Sequence, residues 1–286
     1  MTPRPYAFIG CEAPYGEAGT VIFGAPFDST ASFRPGARFA PQAMRVESVG
    51  IETYSPYQER CLENLRVFDA GDLDLPFGNA ARALDEIERF AAGVLEDGKM
   101  PCMIGGEHLV TLGALRAVAA KSRGLHLIHF DAHADLRDDY MGEKLSHATV
   151  MRRAWEILGD GRIHQCGIRS GSKDEMDWSG GHVERELFGA SRLKDAVCAL
   201  RGAPLYVSVD LDVIDPSELP GTGTPEAGGM SFKELLDALL SLRGLNVMAF
   251  DICELSPHYD QSGRSTALAC KALREMLLAF RRPSSR

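Results

Sequence analysis

Short apolar runs alternate with helical patterns along almost the whole chain, and this alternation limits the fold more than any other feature. Strand-like runs lie at 20–24 (TVIFG), 65–70, 101–105, 125–131 (LHLIHFD), 163–168, 205–212 (LYVSVDLD) and 247–252. Between them Asn79 reads as the N-cap of a helix that ends near Glu96, with Leu84, Ile87, Ala91, Val94 and Leu95 on one face. Further helices are expected at 109–121, 148–158, 231–242 and 265–280. Strands that alternate with helices imply an α/β fold with a mainly parallel sheet covered by helices. No repeat, low-complexity tract or linker interrupts the pattern, and the Pro-rich stretch 215–225 reads as a loop. One domain over residues 1–286 is expected, a length that α/β folds often fill.

Composition removes several functions. Apolar residues make up 45% and charged residues 25%, the mix of a soluble globular protein. No run reaches the ~18 apolar residues of a membrane helix, which speaks against a membrane partner. The N-terminus, MTPRPYAFIGCEAP, lacks a secretory core, so a cytoplasmic protein is expected. A net charge of −9 disfavours nucleic acid and suits a small cationic molecule. The seven cysteines include no CxxC pair, which argues against a disulfide framework and thiolate zinc. Cys102, Cys166 and Cys253 lie in strand-like runs and read as small core residues.

Ligands of parallel sheets bind beyond the carboxyl ends of the strands, so those ends carry the chemistry. In GGEH (105–108) the two glycines allow a tight turn and set His108 near a helix start. Alone, His108 reads as a ligand or as a hydrogen-bonded structural histidine. In DAHAD (131–135) an extended backbone would bring Asp131, His133 and Asp135 to one face, with Ala132 and Ala134 leaving room. That pattern points to a metal site rather than to a solvated loop. In YVSVDLDVIDP (206–216) the same rule puts Asp210 and Asp212 on one face. Two carboxylates at a buried strand end repel and desolvate poorly, and a cation between them removes the problem. Capped, hydrogen-bonded acids are the alternative. Asp215, before Pro216, reads as a turn former.

His108, His133 and the four aspartates make six ligands. Their four carboxylates balance two divalent ions, and an oxygen-rich set with two imidazoles favours Mn²⁺ over structural Zn²⁺. Iron, cobalt, nickel and catalytic zinc stay open. Two metals sharing carboxylates sit roughly 3.5–4 Å apart and can hold a hydroxide between them. In DICELSP (251–257) Glu254 is left over. It is a natural partner for the guanidinium fork, or else a rim salt bridge. His147 follows Asp135 by twelve residues and reads either as a proton shuttle to a leaving amine or as an exposed loop histidine.

GGEH, DAHAD, SVDLDVIDP, GTGTPEAGG and CELSP, in this order, resemble the ureohydrolases, the arginase–agmatinase superfamily. The resemblance runs from GAPFDSTASFRPGARFAPQAMR (24–45) to the C-terminal helix and is strongest to bacterial agmatinases, including SPYQERCLENLRVFDAGDLDLPFGNA. It implies a three-layer α/β/α arginase-like fold, two Mn²⁺ per subunit and a homotrimer or homohexamer. It implies that His108, Asp131, Asp135 and Asp210 hold one metal. Asp131, His133, Asp210 and Asp212 would hold the other. It further implies that His147 shuttles the proton, Glu254 grips the guanidinium and Thr222, in PGTGTPE, lies near the substrate. The implied reaction is hydrolysis of agmatine to putrescine and urea, with Asp135 moving a proton during attack.

Two loops depart from the arginase pattern. Arginases hold the amino acid end of arginine with an Asn- and Ser-bearing loop after DAHxD and an Asp after the GLR turn. Here those loops are LRDDYMGEKLSH, without Asn, and GIRSGSKDE, with Ser170 and Ser172 where acids would stand. Arginine is therefore not the expected substrate. One of Asp138, Asp139 and Glu143 is expected to attract a distal ammonium, unless these are solvated loop charges. The alternative substrates are N1-aminopropylagmatine, giving spermidine, and a guanidino acid such as guanidinobutyrate. Arg34 and Arg38 raise the acid option but read better as structural or subunit contacts. A two-metal phosphohydrolase would need cations or helix N-termini aimed at phosphate, and Glu254 with its acidic loops argues against it. A non-catalytic relative would have lost a ligand, and none is missing.

Overall fold

The computed structural model describes residues 6–280. In chain order its strands and α-helices are β1 (Thr20–Gly24), α1 (Ala40–Glu47), β2 (Tyr54–Ser55), β3 (Arg60–Cys61), β4 (Val67–Asp72), α2 (Ala80–Glu96), β5 (Met100–Ile104), α3 (Thr111–Lys121), β6 (His126–Phe130), α4 (Val150–Leu158), β7 (Ile163–Ile168), α5 (Lys173–Trp178), β8 (Glu184–Leu187), α6 (Leu193–Ala199), β9 (Pro204–Asp210), α7 (Phe232–Ser241), β10 (Asn246–Cys253) and α8 (Arg264–Phe280). Eight strands form one sheet in the order β4-β1-β5-β10-β9-β6-β7-β8, and every pairing in it is parallel. β2 and β3 form a separate antiparallel pair.

Strand periodicity makes the three layers. On β9, Leu205, Val207 and Val209 face a core that includes Met44 of α1, Leu239 of α7 and Leu277 of α8. Tyr206, pointing the other way, joins Ile87 of α2, Leu115 of α3 and Met151 of α4. Each such fully buried apolar side chain stabilises the fold by roughly 1.5–3 kcal/mol. Helix α2 forms as its sequence implies. Asn79 accepts the Arg82 amide at 3.0 Å, and Leu84, Ile87, Ala91 and Val94 are buried.

Several elements depart from expectation for local reasons. β8 reads EREL, an edge strand without apolar alternation. Helices α5 and α6 have six and seven residues, too few to show a period. Helix α1 has eight residues and begins on Ala40 and Pro41. The strand expected at 65–70 forms at Val67–Asp72, and β9 stops at Asp210 rather than at 212. Five cysteines are buried, while Cys61 is partly exposed and Cys198 is exposed.

The GGEH glycines do not serve a left-handed turn, since neither has a positive φ. They are needed for close approach. A Cβ on Gly106 would lie 2.0 Å from the Phe27 carbonyl oxygen, and one on Gly105 would lie 2.4 Å from Cys253 Sγ. The four central strands β5, β10, β9 and β6 thus end side by side, and the GGEH, CELSP, SVDLD and DAHAD segments follow from them. Gly106→Ala is expected to cost more than about 3 kcal/mol in chemical denaturation, at the upper end for one substitution. Gly93→Ala in α2, with open space around its Cβ, is expected to gain about 0.5–1 kcal/mol. Equal effects of the two would contradict the close-packing account.

Candidate metal centre

The convergence expected of DAHAD occurs, by a different backbone. β6 ends at Phe130, and Asp131 stays in line because its amide bonds the Cys166 carbonyl at 3.1 Å. His133 pairs with Ser170 in an isolated parallel bridge. The extended path then stops, and Asp135 takes a φ of 53°. The left-handed region is open to Asp at modest cost. There its carbonyl accepts the Met151 and Arg152 amides at 3.0 and 3.2 Å at the start of α4. Asp212 also leaves the strand path. Leu211–Val213 form one 3-10 turn, and Asp210 Oδ1 accepts the Asp212 amide at 2.8 Å. The two acids converge through that turn and not through strand alternation.

Two groups of donor atoms result. His108 Nδ1 lies 3.0 Å from Asp131 Oδ2, 3.3 Å from Asp135 Oδ2 and 3.3 Å from Asp210 Oδ2. His133 Nδ1 lies 2.9 Å from Asp212 Oδ2 and 3.5 Å from Asp131 Oδ1. Asp131 therefore gives one oxygen to each group. All these residues are buried except His133, which is half-buried.

Neighbouring residues set the histidine protons. Ser208 donates its hydroxyl to Asp251 at 2.7 Å and lies 2.9 Å from His108 Nε2. With that proton committed, Ser208 accepts from Nε2, so Nδ1 is the ring atom that faces the three carboxylates, either donating a proton to them or, once neutral, turning its lone pair to a metal. Lone pairs at 3.0–3.3 Å repel unless a cation lies among them. His129 supports Asp131 in the same way. Gln165 Nε2 lies 3.1 Å from His129 Nδ1, and His129 Nε2 donates to Asp131 Oδ2 at 2.8 Å. Thr224 donates to Asp212 at 3.1 Å.

The electrostatics agree. Burial, with Asp212 and Asp131 nearby, holds the Asp210 carboxyl well above the usual range. Burial and Asp131 push Asp135 up to about 7. Burial also opposes ionisation of Asp131, but hydrogen bonds from His108, His129 and His133 outweigh it and hold Asp131 well below the usual range. Burial disfavours the charged form of His108, yet Asp131, Asp135 and Asp210 hold its pKa well above the ordinary value. Such a cluster takes up positive charge as protons or as metal. The six donors fit two divalent cations by charge, ligand type and convergence.

A cavity of about 330 Å³ opens on the cluster, lined there by His133, Asp135, Asp210, His147, Thr224 and Glu254. A second cavity of about 450 Å³ lies by β8, beside His126 and His164, and contains none of the six ligands. Glu254 is buried at the end of β10 with a φ of 64°. Its amide bonds the Gly106 carbonyl at 2.9 Å, and its Oε1 accepts the His108 amide at 2.7 Å. Burial and then Glu107 hold its carboxyl well above the usual range. His147 is not an exposed loop residue. It is half-buried on the cavity wall, with Nε2 3.2 Å from Ser32 Oγ, and burial pulls its pKa down to about 4.

Other expected positions fall elsewhere. Thr222 is buried, bridges to Leu255 and is not on the cavity wall, where Thr224 stands instead. The loop acids do not line the cavity either. Asp138 pairs with Arg153 at 2.7 Å, Asp139 accepts the Gly142 amide at 3.3 Å, and Glu143 is exposed. The same loop instead lines the cavity with Arg137 and Tyr140, the Arg137 guanidinium 4.9 Å from the Tyr140 ring centroid. Arg38 pairs with buried Asp28, and Arg34 lies 5.3 Å from the Tyr259 ring centroid, off the cavity wall.

Fold and site define an α/β protein with His/Asp metal-binding groups at the carboxyl edge of a parallel sheet. The arginase family profile matches residues 18–279, and the chain belongs to that family. It is 46% identical over 279 residues to an agmatinase of Bacillus subtilis and 45% identical over 278 residues to one of Bacillus anthracis. Each match covers 96% of both chains. The solved structure of an agmatine ureohydrolase of Thermoplasma volcanium superposes with a TM-score of 0.89 at 34% identity. That match covers 97% of this chain and 94% of the other. Ser208→Ala is expected to weaken Mn²⁺ binding about 10–100-fold in calorimetric titration, because His108 loses the partner that fixes its ring. Unchanged affinity would contradict the assigned proton positions.

Proposed function

We propose that the chain is an agmatinase-type ureohydrolase that hydrolyses agmatine to putrescine and urea. The observation that carries this reading is Glu254, a buried carboxylate on the wall of the cavity that also reaches Asp210 and His133. Similarity to curated agmatinases over 96% of the chain supports it. The reading takes residues 1–286 as one ureohydrolase domain, of which 1–5 and 281–286 lie outside the described residues. A homotrimer or homohexamer in the cytoplasm belongs to the same proposal. Among the described residues no helix is long and apolar enough to cross a membrane.

Manganese is the proposed metal, supported by the oxygen-rich donor set. His108, Asp131, Asp135 and Asp210 would hold one ion, and Asp131, His133, Asp210 and Asp212 the other. Bound there, the pair would supply Lewis acidity and a water activated near neutral pH. Glu254 takes the guanidinium fork and sets its carbon in line for attack. Asp135, on the cavity wall, accepts a proton as water adds to that carbon. The bond from the guanidinium carbon to the alkyl nitrogen then breaks. Asp135 passes its proton on toward the departing amine, and His147 Nε2 relays a further proton from solvent to it, leaving urea and putrescine as an ammonium. Ser170 and Ser172 stand on the cavity wall, which supports agmatine over arginine.

Urea release from the Mn²⁺-loaded protein is expected to give the highest kcat/KM with agmatine among agmatine, N1-aminopropylagmatine, guanidinobutyrate and arginine. Preference for arginine would overturn the reading of the two loops. His147→Ala is expected to lower kcat by about 10²–10⁴-fold, the usual contribution of a positioned acid–base group. Full activity of that variant would remove His147 from the mechanism.

A further inference from the structure

GGEH gives His108 to the cluster, but its glutamate is not one of the six ligands. Glu107 is fully buried, and both of its carboxylate oxygens accept from Thr30. Oε1 accepts the Thr30 hydroxyl at 2.7 Å, and Oε2 accepts the Thr30 amide at 2.9 Å. Thr30 Oγ1 in turn accepts the His147 amide at 3.1 Å and lies 3.4 Å from His147 Nδ1. Ser146 Oγ lies 3.3 Å from the same ring nitrogen. The other ring nitrogen lies toward Ser32 Oγ on the cavity wall.

We propose that Glu107 and Thr30 are positioning residues for His147, with the carboxylate fixing Thr30, and Thr30 holding both the backbone and the ring of His147 so that Nε2 serves the cavity. The inference rests on the reading of His147 as the group that protonates the leaving amine. Three features carry it. Glu107 takes both donors of Thr30, which a neutral glutamine cannot do, because one side of its amide is itself a donor. Thr30 Oγ1 serves Glu107, the His147 amide and the ring together. The segment that carries Thr30 and Ser32 runs on into exposed Phe33, and the two bonds to Glu107 join it to the GGEH segment.

Thr30 Oγ1 points its proton at Glu107 Oε1, so it offers His147 only lone pairs. Nδ1 then carries the ring proton, and Nε2 is left to exchange with the amine. This is the way a buried carboxylate orients an imidazole in a hydrolytic triad, with one hydroxyl interposed. These contacts link Glu107 through Thr30 to His147.

The test is urea release from agmatine by the Mn²⁺-loaded wild type, Thr30→Val, Thr30→Ser and Glu107→Gln, each with and without His147→Ala, with metal content measured. Thr30→Val is expected to lower kcat about 10–100-fold, below the full contribution of an acid–base group, with KM and metal content unchanged. Thr30→Ser, which keeps the hydroxyl, is expected to stay within about threefold of wild type, as a hydrogen bond retained should. On the His147→Ala background neither Thr30→Val nor Glu107→Gln should cost anything further, since a residue that acts through His147 has nothing left to position. Losses that multiply, or a raised KM with kcat unchanged, overturn the proposal. A wild type without urea release, or a fully active His147→Ala, overturns the reading of the reaction and the positioning with it.

Discussion

The rest of the structure depends on one electrostatic constraint: four aspartates and two histidines gathered at the edge of a buried parallel sheet. His108 alone faces three carboxylate oxygens within 3.3 Å, inside a wall of apolar strands. Carboxylates so crowded do not all ionise without a compensating cation. The sheet order meets that demand. β5, β10, β9 and β6 are neighbours, so segments far apart in sequence deliver their acids and imidazoles to one place. The glycines at 105 and 106 let the backbones close to the distances this needs.

Around that cluster further buried side chains fix the positions of protons. Asp251 holds Ser208, which holds His108. Gln165 lies against His129, which holds Asp131. Glu107 holds Thr30, which touches His147. Each chain ends on a group that faces the cluster or the cavity. Aiming a side chain through a fixed partner avoids the rotamer entropy that a free one would lose on every turnover.

The strands that lead to the cluster were legible because each is an apolar run, and its aspartates and His133 because they follow those runs at spacings of two. The spacing pointed to residues that do converge, for an incomplete reason. Asp135 uses a left-handed backbone, and Asp212 uses a 3-10 turn. The supporting residues were harder to read. Ser208 and His129 are single polar positions inside strands, two residues before Asp210 and Asp131, and that shared parity was their only local signal. Thr30, Gln165 and Asp251 act across long sequence separations, which one sequence does not reveal. Thr222 and Thr224 differ by two residues in a glycine-rich loop whose path is set by the bridge to Leu255. The acids of the loop after DAHAD invited a role in binding a cation, but Arg153, on α4, takes Asp138 outward.

The central claim is that the six-residue cluster is a two-metal site on which turnover depends. Manganese bound per chain, measured by elemental analysis along a titration while agmatine turnover is followed in the same samples, tests it most directly. The account predicts that turnover reaches its maximum as binding reaches two ions per chain, the stoichiometry of a shared-carboxylate pair. Full turnover with no metal, or with binding that saturates at one, would contradict it.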